Sequence, residues 1–368
     1  MTGNGTARPA HDVDVVLPVH DVRRPVGRAV RSALEGDAAD RVRVIVVCHE
    51  VAPERIEALI DPVDRARCTL LAFSDGVPSP AGPKNAGLEA ARAPYVGLLD
   101  SDDYYEPGAL LAWLDLAQRH GSDVVFPPVR GDDGALIRTP RVRPGRSRDL
   151  DVVRDRLTYQ SAHRGLTARH LLEDGRLRMT GGVPVGEDLA FTARLWTVAR
   201  RMDRAVGAPA YVQDSSTGQG VTGQVRPVTE ELTAVARLAA EPWLAAAPAA
   251  VRRAIAVKTV RVHLLGALLR RPHAAQWAPG DAGWLRDLLD SYRALAPGVL
   301  RPFSHADRAL LEGLDETMDA EGLAAAVGQR LRAGRADWLL TPRLSANLDR
   351  ESTLRYLVAD RIQAREAR

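Results

Sequence analysis

The chain has 368 residues, of which 45% are hydrophobic and 26% are charged, and its formal net charge at pH 7 is +3. This length and composition are ample for a buried core and predict one large domain with a smaller one, or two domains of ordinary size. Although the pI is about 9.0, so small a net charge gives no indication of a nucleic-acid-binding protein.

The two cysteines, Cys48 and Cys68, fall in apolar, strand-like runs. This placement predicts reduced core residues of a cytoplasmic protein, not a disulfide framework. The N-terminal residues lack the apolar stretch of a signal peptide, and the chain contains no run of about 18 apolar residues. We therefore expect a cytoplasmic protein that does not span a membrane but could contact its inner face as a peripheral protein.

The first third of the chain alternates short apolar runs with helix-like stretches. Runs of this length suit strands buried on both faces of a parallel sheet, and they are Asp14–Val19, Val42–Cys48, Cys68–Phe73, Tyr95–Leu99 and Asp123–Pro127. Apolar residues at helical spacing predict the intervening helices, Arg28–Leu34, Pro53–Ile60, Lys84–Ala91 and Pro107–Gln118. The alternation predicts an α/β fold with a mainly parallel sheet, whose ligand binds beyond the carboxyl ends of the strands.

Three carboxylates, Asp100, Asp102 and Asp103, follow the fourth apolar run within four positions. A solvated turn in which an aspartate caps a helix would explain one of them. An EF-hand loop is excluded, because the glycine and glutamate that it requires would fall on Tyr105 and Leu111. We favour a site for Mn²⁺ or Mg²⁺, since Mg²⁺ is typically held by one or two carboxylates plus substrate phosphate oxygens.

The periodicity stops between about residues 128 and 180, which predicts a loop or ribbon over the sheet edge. Five arginines without an acid occur there within eleven residues, at positions 138, 141, 143, 146 and 148. They are compatible with a mobile solvated loop. They are also compatible with a surface that recognises a phosphate-bearing acceptor, in which case Arg141, Arg143 and Arg146 would bind it.

From about residue 228 apolar residues recur at spacings of three and four, which predicts a helical C-terminal region. One such stripe contains Leu264, Leu265, Leu268 and Leu269. It could pack onto the preceding domain or form part of a homo-oligomer interface.

Four segments resemble, in order, the motifs of the family 2 inverting glycosyltransferases, which have a nucleotide-sugar-binding GT-A fold. VDVVLPVHD resembles the first strand and turn, and SPAGPKNAGLEAA resembles a loop and helix with a basic residue and an asparagine. YVGLLDSDDYYEPGAL resembles the metal-binding DxD segment, and GEDLAFTARLW the later acidic motif. The second and fourth segments look most like the branch that includes bacterial wall-teichoic-acid (polyribitol-phosphate) N-acetylglucosaminyltransferases.

This resemblance covers about the first 220 residues and implies a catalytic domain over 1–225, followed by a helical domain over 226–368. It implies metal-dependent transfer of a hexose or N-acetylhexosamine, with inversion, from a nucleoside diphosphate donor such as a UDP-sugar. The acceptor would be a hydroxyl of a cell-wall polymer or of another glycan or lipid-linked molecule.

The resemblance also assigns roles to individual residues. Asp102 would bind the metal with help from Asp100, and Asp188 would be the general base, supported by Glu187. The donor would be bound by Pro18, Val19, His20, Glu50, Lys84, Asp100 and Ser101. Judged without the resemblance, His20 and Lys84 could be ordinary surface residues, and the acids at 187 and 188 could stabilise a helix N-terminus.

One segment departs from the family. An acidic pair that contacts the base and ribose usually follows the second strand, whereas this chain has Cys48-His49-Glu50-Val51. Glu50 is the acid that could substitute, and the preferred base stays open. The alternatives are a non-catalytic sugar-nucleotide-binding relative or scaffold, and a glycosyltransferase that modifies a small natural product. A nucleotidyltransferase is disfavoured, because PVHDVRRPVGR is not a glycine-rich triphosphate loop.

Overall fold

The computed structural model describes residues 11–173, 177–214 and 225–366. Its strands are β1 Val13–Val19, β2 Val42–His49, β3 Cys68–Phe73, β4 Tyr95–Leu98, β5 Tyr104–Tyr105, β6 Val124–Phe126, β7 Val129–Gly131, β8 Leu166–Ala168, β9 Met202–Arg204 and β10 Tyr211–Gln213. The helices that alternate with them are α1 Val26–Leu34, α2 Pro53–Glu57, α3 Pro62–Arg65, α4 Ala81–Ala90, α5 Ala109–His120 and α6 Leu189–Val198.

The C-terminal region is helical, as the apolar spacing predicts. Its helices are α7 Val228–Glu231, α8 Thr233–Ala239, α9 Pro242–Ala246, α10 Ala249–Thr259, α11 Leu265–Leu269, α12 Asp281–Leu295, α13 His305–Glu312, α14 Ala320–Leu331, α15 Arg335–Leu339 and α16 Thr353–Glu366. A π-helical turn, Val260–Leu264, joins α10 to α11.

Seven strands form one sheet in the order β3-β2-β1-β4-β8-β6-β9. Every pairing is parallel except those of β8, which runs antiparallel to both β4 and β6. The strand order reverses between β1 and β4, since β2 and β3 lie on one side of β1 and β4 on the other. The crevice outside the carboxyl ends of strands at such a reversal is where α/β sheets bind their ligands.

The apolar runs form strands because both faces of the sheet are covered. Val15 and Leu17 of β1 pack into the core on one face, and Val16 packs into the core on the other, as the two-residue period of a strand requires. Cys48 and Cys68 are buried free thiols, as predicted. The α/β prediction is confirmed, and each of the five predicted strands matches an observed one to within two residues at either end.

Strand β8 was not predicted and lies inside the stretch expected to be a loop. It contains three residues, too few to show a period. It forms because β4 and β6 offer it unpaired edges on both sides, with Thr167 opposite Val96 and Val124. Long-range pairing therefore determines this strand.

A second, three-stranded sheet lies at the carboxyl edge of the first, in the order β5-β10-β7. Strand β5 begins directly after Asp103, and its Tyr105 pairs with Tyr211 of β10. The acidic segment therefore runs between two strands, β4 and β5, that fix both of its ends.

The C-terminal helices share one apolar core, which also includes Leu189 and Ala193 of α6. Leu264, Leu265 and Leu268 are buried in this core, so packing within the chain is the observed role of the predicted leucine stripe. A homo-oligomer formed through other surfaces of the C-terminal helices stays a prediction, as does the domain boundary at 225. None of the helices in the described ranges is both long and apolar enough to cross a membrane.

Candidate active site

The acidic segment after β4 is held in place by Asp103. Its carboxylate accepts a hydrogen bond of 2.5 Å from the Tyr211 hydroxyl and another of 2.9 Å from the backbone N–H of Asp214. Burial, followed by the charge of Asp100, raises the pKa of Asp103 to about 7. Asp103 thus orients the loop, while the other two aspartates are directed elsewhere.

Asp102 faces two arginines at the start of the first helix. Arg24 forms an ion pair with its carboxylate, and the Arg28 guanidinium donates a hydrogen bond of 2.5 Å to its backbone carbonyl. Arg28 also forms an ion pair of 2.7 Å with Asp214. The Asp102 side chain is 23% exposed, so one part of it faces solvent, and the neighbouring Ser101 is buried.

Lys84 connects the two acidic motifs. It lies in the first turn of α4, and its ammonium Nζ is 3.2 Å from Asp100 Oδ1 and 3.2 Å from Glu187 Oε1. Burial alone would lower the pKa of Lys84, but these carboxylates outweigh it and hold the pKa above its ordinary value. The Lys84 charge in turn lowers the pKa of Asp100. The lysine is therefore a fixed cation between two carboxylates.

Asp188 immediately precedes α6, but its side chain makes no capping hydrogen bond. A capping hydrogen bond is therefore not what orients this side chain, although its charge lies at the N-terminus of α6. Burial, then the adjacent Glu187, raises the pKa of Asp188 to about 6, against the cations Lys84, Arg164 and Lys258. A carboxylate with a pKa near neutrality is suited to accept a proton.

Lys84, Asp100, Glu187 and Asp188 line a cleft of about 540 Å³ between the sheet and the C-terminal helices, whereas Ser101, Asp102 and Asp103 do not. The sheet domain contributes the acids Asp100, Glu187 and Asp188, and the C-terminal region contributes His263 and Arg270. Arg164 and Tyr211 form part of the wall, with the Arg164 guanidinium 5.6 Å from the Tyr211 ring. The cleft is thus lined by carboxylates and cations together, which suits a substrate that carries charge.

The predicted donor residues Pro18, Val19 and His20 lie at the carboxyl end of β1 and are not among the residues that line this cleft. Pro18 and Val19 are buried and pair with β2, so their side chains belong to the core. His20 is exposed at the carboxyl edge, and partial desolvation of its ring, followed by the charge of Arg24, lowers its pKa. Contact between these residues and a donor stays a prediction.

Glu50 occupies the position of the missing acidic pair, with a backbone φ of 54°. Its carboxylate accepts hydrogen bonds from the Ser74 hydroxyl at 2.7 Å and from the backbone N–H groups of Asp75 and Gly76 at 2.9 and 2.7 Å. In the described ranges, the possible metal-ligand atoms that come together as a group of three belong to His49, Glu50 and Asp75. The Glu50 carboxylate already accepts three hydrogen bonds from residues 74–76. Its predicted contact with the donor would therefore require that it share or lose some of these hydrogen bonds.

The predicted metal ligands fit a hard cation in their chemistry, because Asp100 and Asp102 offer oxygen atoms next to a crevice open to a diphosphate. Both are already ion-paired, Asp100 with Lys84 and Asp102 with Arg24. A bound Mn²⁺ or Mg²⁺ would therefore compete with these cations for the carboxylates.

Three arginines of the arginine-rich stretch form ion pairs with acids. The expectation from the sequence that these cations have no neutralising acid is therefore wrong. Arg143 forms two hydrogen bonds, of 2.8 and 2.7 Å, with the buried carboxylate of Asp155. Arg141 lies 2.8 Å from Asp360 of α16, and Arg138 lies 3.3 Å from it. Folding brings these acids from other segments, which is why a local count of charges misses them. Arg146 is exposed.

Several cations around the acidic motifs were not predicted from the sequence. Arg24 and Arg28, which contact Asp102, lie four residues apart after β1, and this spacing next to a ligand edge is a signal that could have found them. Arg164, Lys258 and His263 have no local signal, because only the tertiary fold brings them to the acids.

Residues 14–175 match the family described as Glycosyl transferase family 2. The Bacillus spizizenii poly(ribitol-phosphate) beta-glucosyltransferase is 24% identical over 123 residues, which are 33% of this chain and 19% of that protein. The Rhizobium meliloti succinoglycan biosynthesis protein ExoO is 27% identical over 194 residues, 50% of this chain and 55% of that one. The matched segments thus span about a fifth and about half of these two relatives.

The structure is similar to that of S. aureus TarS residues 1–349 in complex with UDP-GlcNAc. The TM-score is 0.70 at 16% identity, and the match covers 87% of this chain and 89% of that one. Another structure of the same TarS fragment gives a TM-score of 0.66 with equal coverage. At this identity the similarity shows the fold, which is the GT-A fold, and residues 14–175 of this fold are the segment that matches the Glycosyl transferase family 2 model.

Proposed function

We propose that the chain is an inverting glycosyltransferase that moves a sugar from a nucleoside diphosphate to an acceptor hydroxyl. The observation that carries the proposal is the position of Lys84 Nζ, 3.2 Å from Asp100 and 3.2 Å from Glu187. This contact brings the acidic segment after β4 and the motif before α6 to one cleft, with Asp188 on its wall.

The donor is a UDP-sugar, either a hexose or an N-acetylhexosamine. TarS has been crystallised with UDP-GlcNAc, and the Bacillus relative is named as a glucosyltransferase. The crevice between the ends of β1 and β4, where α/β sheets bind nucleotides, has Arg24 and Lys84 beside it. These cations would stabilise the negative charge of the departing diphosphate.

The transfer is a single displacement. Asp188 removes the proton from the acceptor hydroxyl as its oxygen attacks the anomeric carbon, and the bond to the nucleoside diphosphate breaks on the opposite face of the sugar. A divalent metal held by Asp102 and Asp100 would add Lewis-acid stabilisation of the diphosphate. No covalent enzyme intermediate is required, and the anomeric configuration inverts.

The acceptor is a phosphate-bearing polymer or another glycan. The relative in Bacillus is named for poly(ribitol-phosphate), and ExoO for succinoglycan biosynthesis. Arg226 and Arg270, like Arg164, line the cleft. Cations at these positions favour a polyanionic acceptor over a neutral one, because arginine pairs well with phosphate.

The test is a transfer assay with purified chain and UDP-, GDP- and dTDP-sugars, each with Mn²⁺ and with a chelator. Polyribitol phosphate and a neutral glycan serve as alternative acceptors, and NMR of the product reads the anomeric configuration. Inversion with a UDP-sugar is expected. Retention of configuration would overturn the displacement scheme, and donor binding without turnover under any condition would favour the non-catalytic alternative.

A further inference from the structure

A buried lysine of the C-terminal region lies next to the cleft. Lys258 of α10 is 2% exposed, and its Nζ is 2.8 Å from Nε2 of His263. The π-helical turn after α10 holds this histidine. π-helical turns occur frequently at functional sites, and a buried ammonium is costly unless it has a partner.

The lysine faces the helix that Asp188 precedes. It lines a small cavity together with Leu189 and Thr192 of α6, and the backbone N–H of Thr192 donates to the Asp188 carbonyl at 2.8 Å. His263 and Asp188 line the main cleft itself. The lysine, through the small cavity, and the histidine, through the main cleft, therefore both lie next to the first turn of α6, where the two regions of the chain pack together.

The small cavity beside Lys258 is lined by both polar and apolar side chains. Gln160 Oε1 and Thr192 Oγ1 are buried there without a hydrogen-bond partner, and both side chains are less than a tenth exposed. Buried polar atoms of this kind are normally satisfied by a protein group or by ordered water. The surroundings of Lys258 thus include polar groups as well as apolar side chains.

We infer that Lys258, held by His263, is a positioning residue that keeps Asp188 ionised so that it can act as the general base. The inference rests on the proposed function of Asp188. It makes the C-terminal helical region a contributor to the active site and not only a packing partner of the sheet domain.

The charges that face these groups come from several elements. Asp188 is faced by Glu187, Lys84, Arg164 and Lys258. Burial lowers the pKa of Lys258 to about 7, and the charge of Asp188 opposes this shift. The lysine is therefore mostly protonated near pH 6, where Asp188 titrates.

His263 completes the arrangement. Burial, then the charges of Lys258 and Arg270, hold its pKa well below the ordinary value. A neutral imidazole can accept the hydrogen bond that the Lys258 ammonium donates. The histidine therefore fixes the direction of the lysine without adding a second positive charge.

The test is the pH profile of kcat/KM for transfer in Lys258→Met and Lys258→Arg. Without the cation, the pH at which kcat/KM falls on the acidic side of the profile, here called the acid limb, should be higher by about one pH unit in Lys258→Met. The activity at pH 8 to 9 should change less, and the donor KM should stay unchanged. Lys258→Arg, which keeps the charge, should retain the wild-type limb. A folded Lys258→Met with an unshifted limb would overturn the inference.

His263→Leu is the second variant, for use if Lys258→Met does not fold. It removes the hydrogen-bond partner of Lys258 but keeps the lysine itself. Its acid limb should also move upward, and an unshifted limb would count against the pair. Asp188→Asn distinguishes an error about the general base from an error about Lys258. If that variant stays active, the proposed base is wrong; if it is inactive while the Lys258 variants keep the wild-type limb, only the inference about Lys258 fails.

Discussion

Arg24 forms an ion pair with Asp102, the aspartate that we propose as the metal ligand. The Arg24 side chain is only 9% exposed, so the pair is screened from solvent on that side. The carboxylate therefore has a cationic partner before any metal binds. A metal and Arg24 then compete for it, and the diphosphate of a donor could be stabilised by either of them.

This competition predicts the effect of Arg24→Met. Removing the guanidinium should lower the Mn²⁺ concentration that gives half-maximal transfer by about threefold to tenfold, since a pair of this kind contributes on the order of 1 kcal/mol. The donor KM measured at saturating metal should rise, because a cation beside the diphosphate is lost. A metal titration of the initial rate measures both effects.

Arg23→Met is the matched control, because Arg23 is the adjacent residue, is 73% exposed and pairs with Asp21 instead. It should leave the metal titration unchanged. Asp102→Ala should nearly abolish transfer while the protein stays folded, since the Asp102 side chain is 23% exposed and does not belong to the buried core. If Arg24→Met and Asp102→Ala both titrate Mn²⁺ like the wild type, Asp102 does not hold the metal.

The second prediction concerns the general base. Asp188→Asn keeps the shape of the side chain but cannot accept a proton at neutral pH. Transfer should fall by roughly 10²–10⁴-fold, while the affinity for the nucleotide-sugar, measured by calorimetry, should stay within a few-fold of the wild type. Asp290→Asn, on the exposed face of α12, is the control and should behave like the wild type. Loss of donor binding in Asp188→Asn would make this residue a donor ligand instead.

The pH dependence follows from the same residue. Because the pKa of Asp188 is raised to about 6, the ionised base is depleted as the pH falls through 6. The value of kcat/KM should then drop by about tenfold per pH unit below that point and level off above pH 7. A base with the ordinary aspartate pKa of about 3.9 would give a flat profile from pH 5 to 7, and that outcome would contradict the buried environment described for Asp188.

Much of the fold follows from the sequence, because buried parallel strands leave a visible record as continuous apolar runs. The runs that became β1 to β4 show this, as does the position of Asp100 at the end of one of them. Contacts that depend on distant segments leave no such record. Strand β8 exists through its two neighbours, and Lys84 reaches Glu187 across 103 positions of chain.

In the C-terminal region, too, the contacts with the site could not be predicted from the local sequence. The spacing of its apolar residues predicts helices, but nothing local indicates that Lys258 would face Asp188. A lysine in a helical pattern is ordinarily expected at the surface. Its burial is decided by how α10 packs against α12 and the turn Leu157–Tyr159, and this packing is a property of the assembled fold.

The last prediction concerns the arginine-rich stretch, in which Arg143 is ion-paired with a buried acid and Arg146 is exposed. Arg143 is bound twice by Asp155, whose side chain is completely buried. Arg143→Gln would leave that carboxylate without its cation and with fewer hydrogen bonds. The free energy of unfolding should fall by about 1–3 kcal/mol, the usual cost when a buried charged acceptor loses its donors. Urea unfolding followed by tryptophan fluorescence measures this loss.

Arg146→Gln is the matched variant in the same stretch. Arg146 is exposed, and its guanidinium is 3.5 Å from the Asp149 carbonyl, so its removal should leave the unfolding curve almost unchanged. If the stretch binds a phosphate-bearing acceptor, Arg146→Gln should raise the acceptor KM alone, and more so at low salt, because exposed charges are screened at higher ionic strength. An acceptor KM that rises in Arg143→Gln without any loss of stability would reverse this assignment and make the Asp155 pair a poised binding site. Unchanged acceptor kinetics in both variants at low salt would leave the stretch with a structural role only, in which Arg141 and Arg138 hold α16 through Asp360.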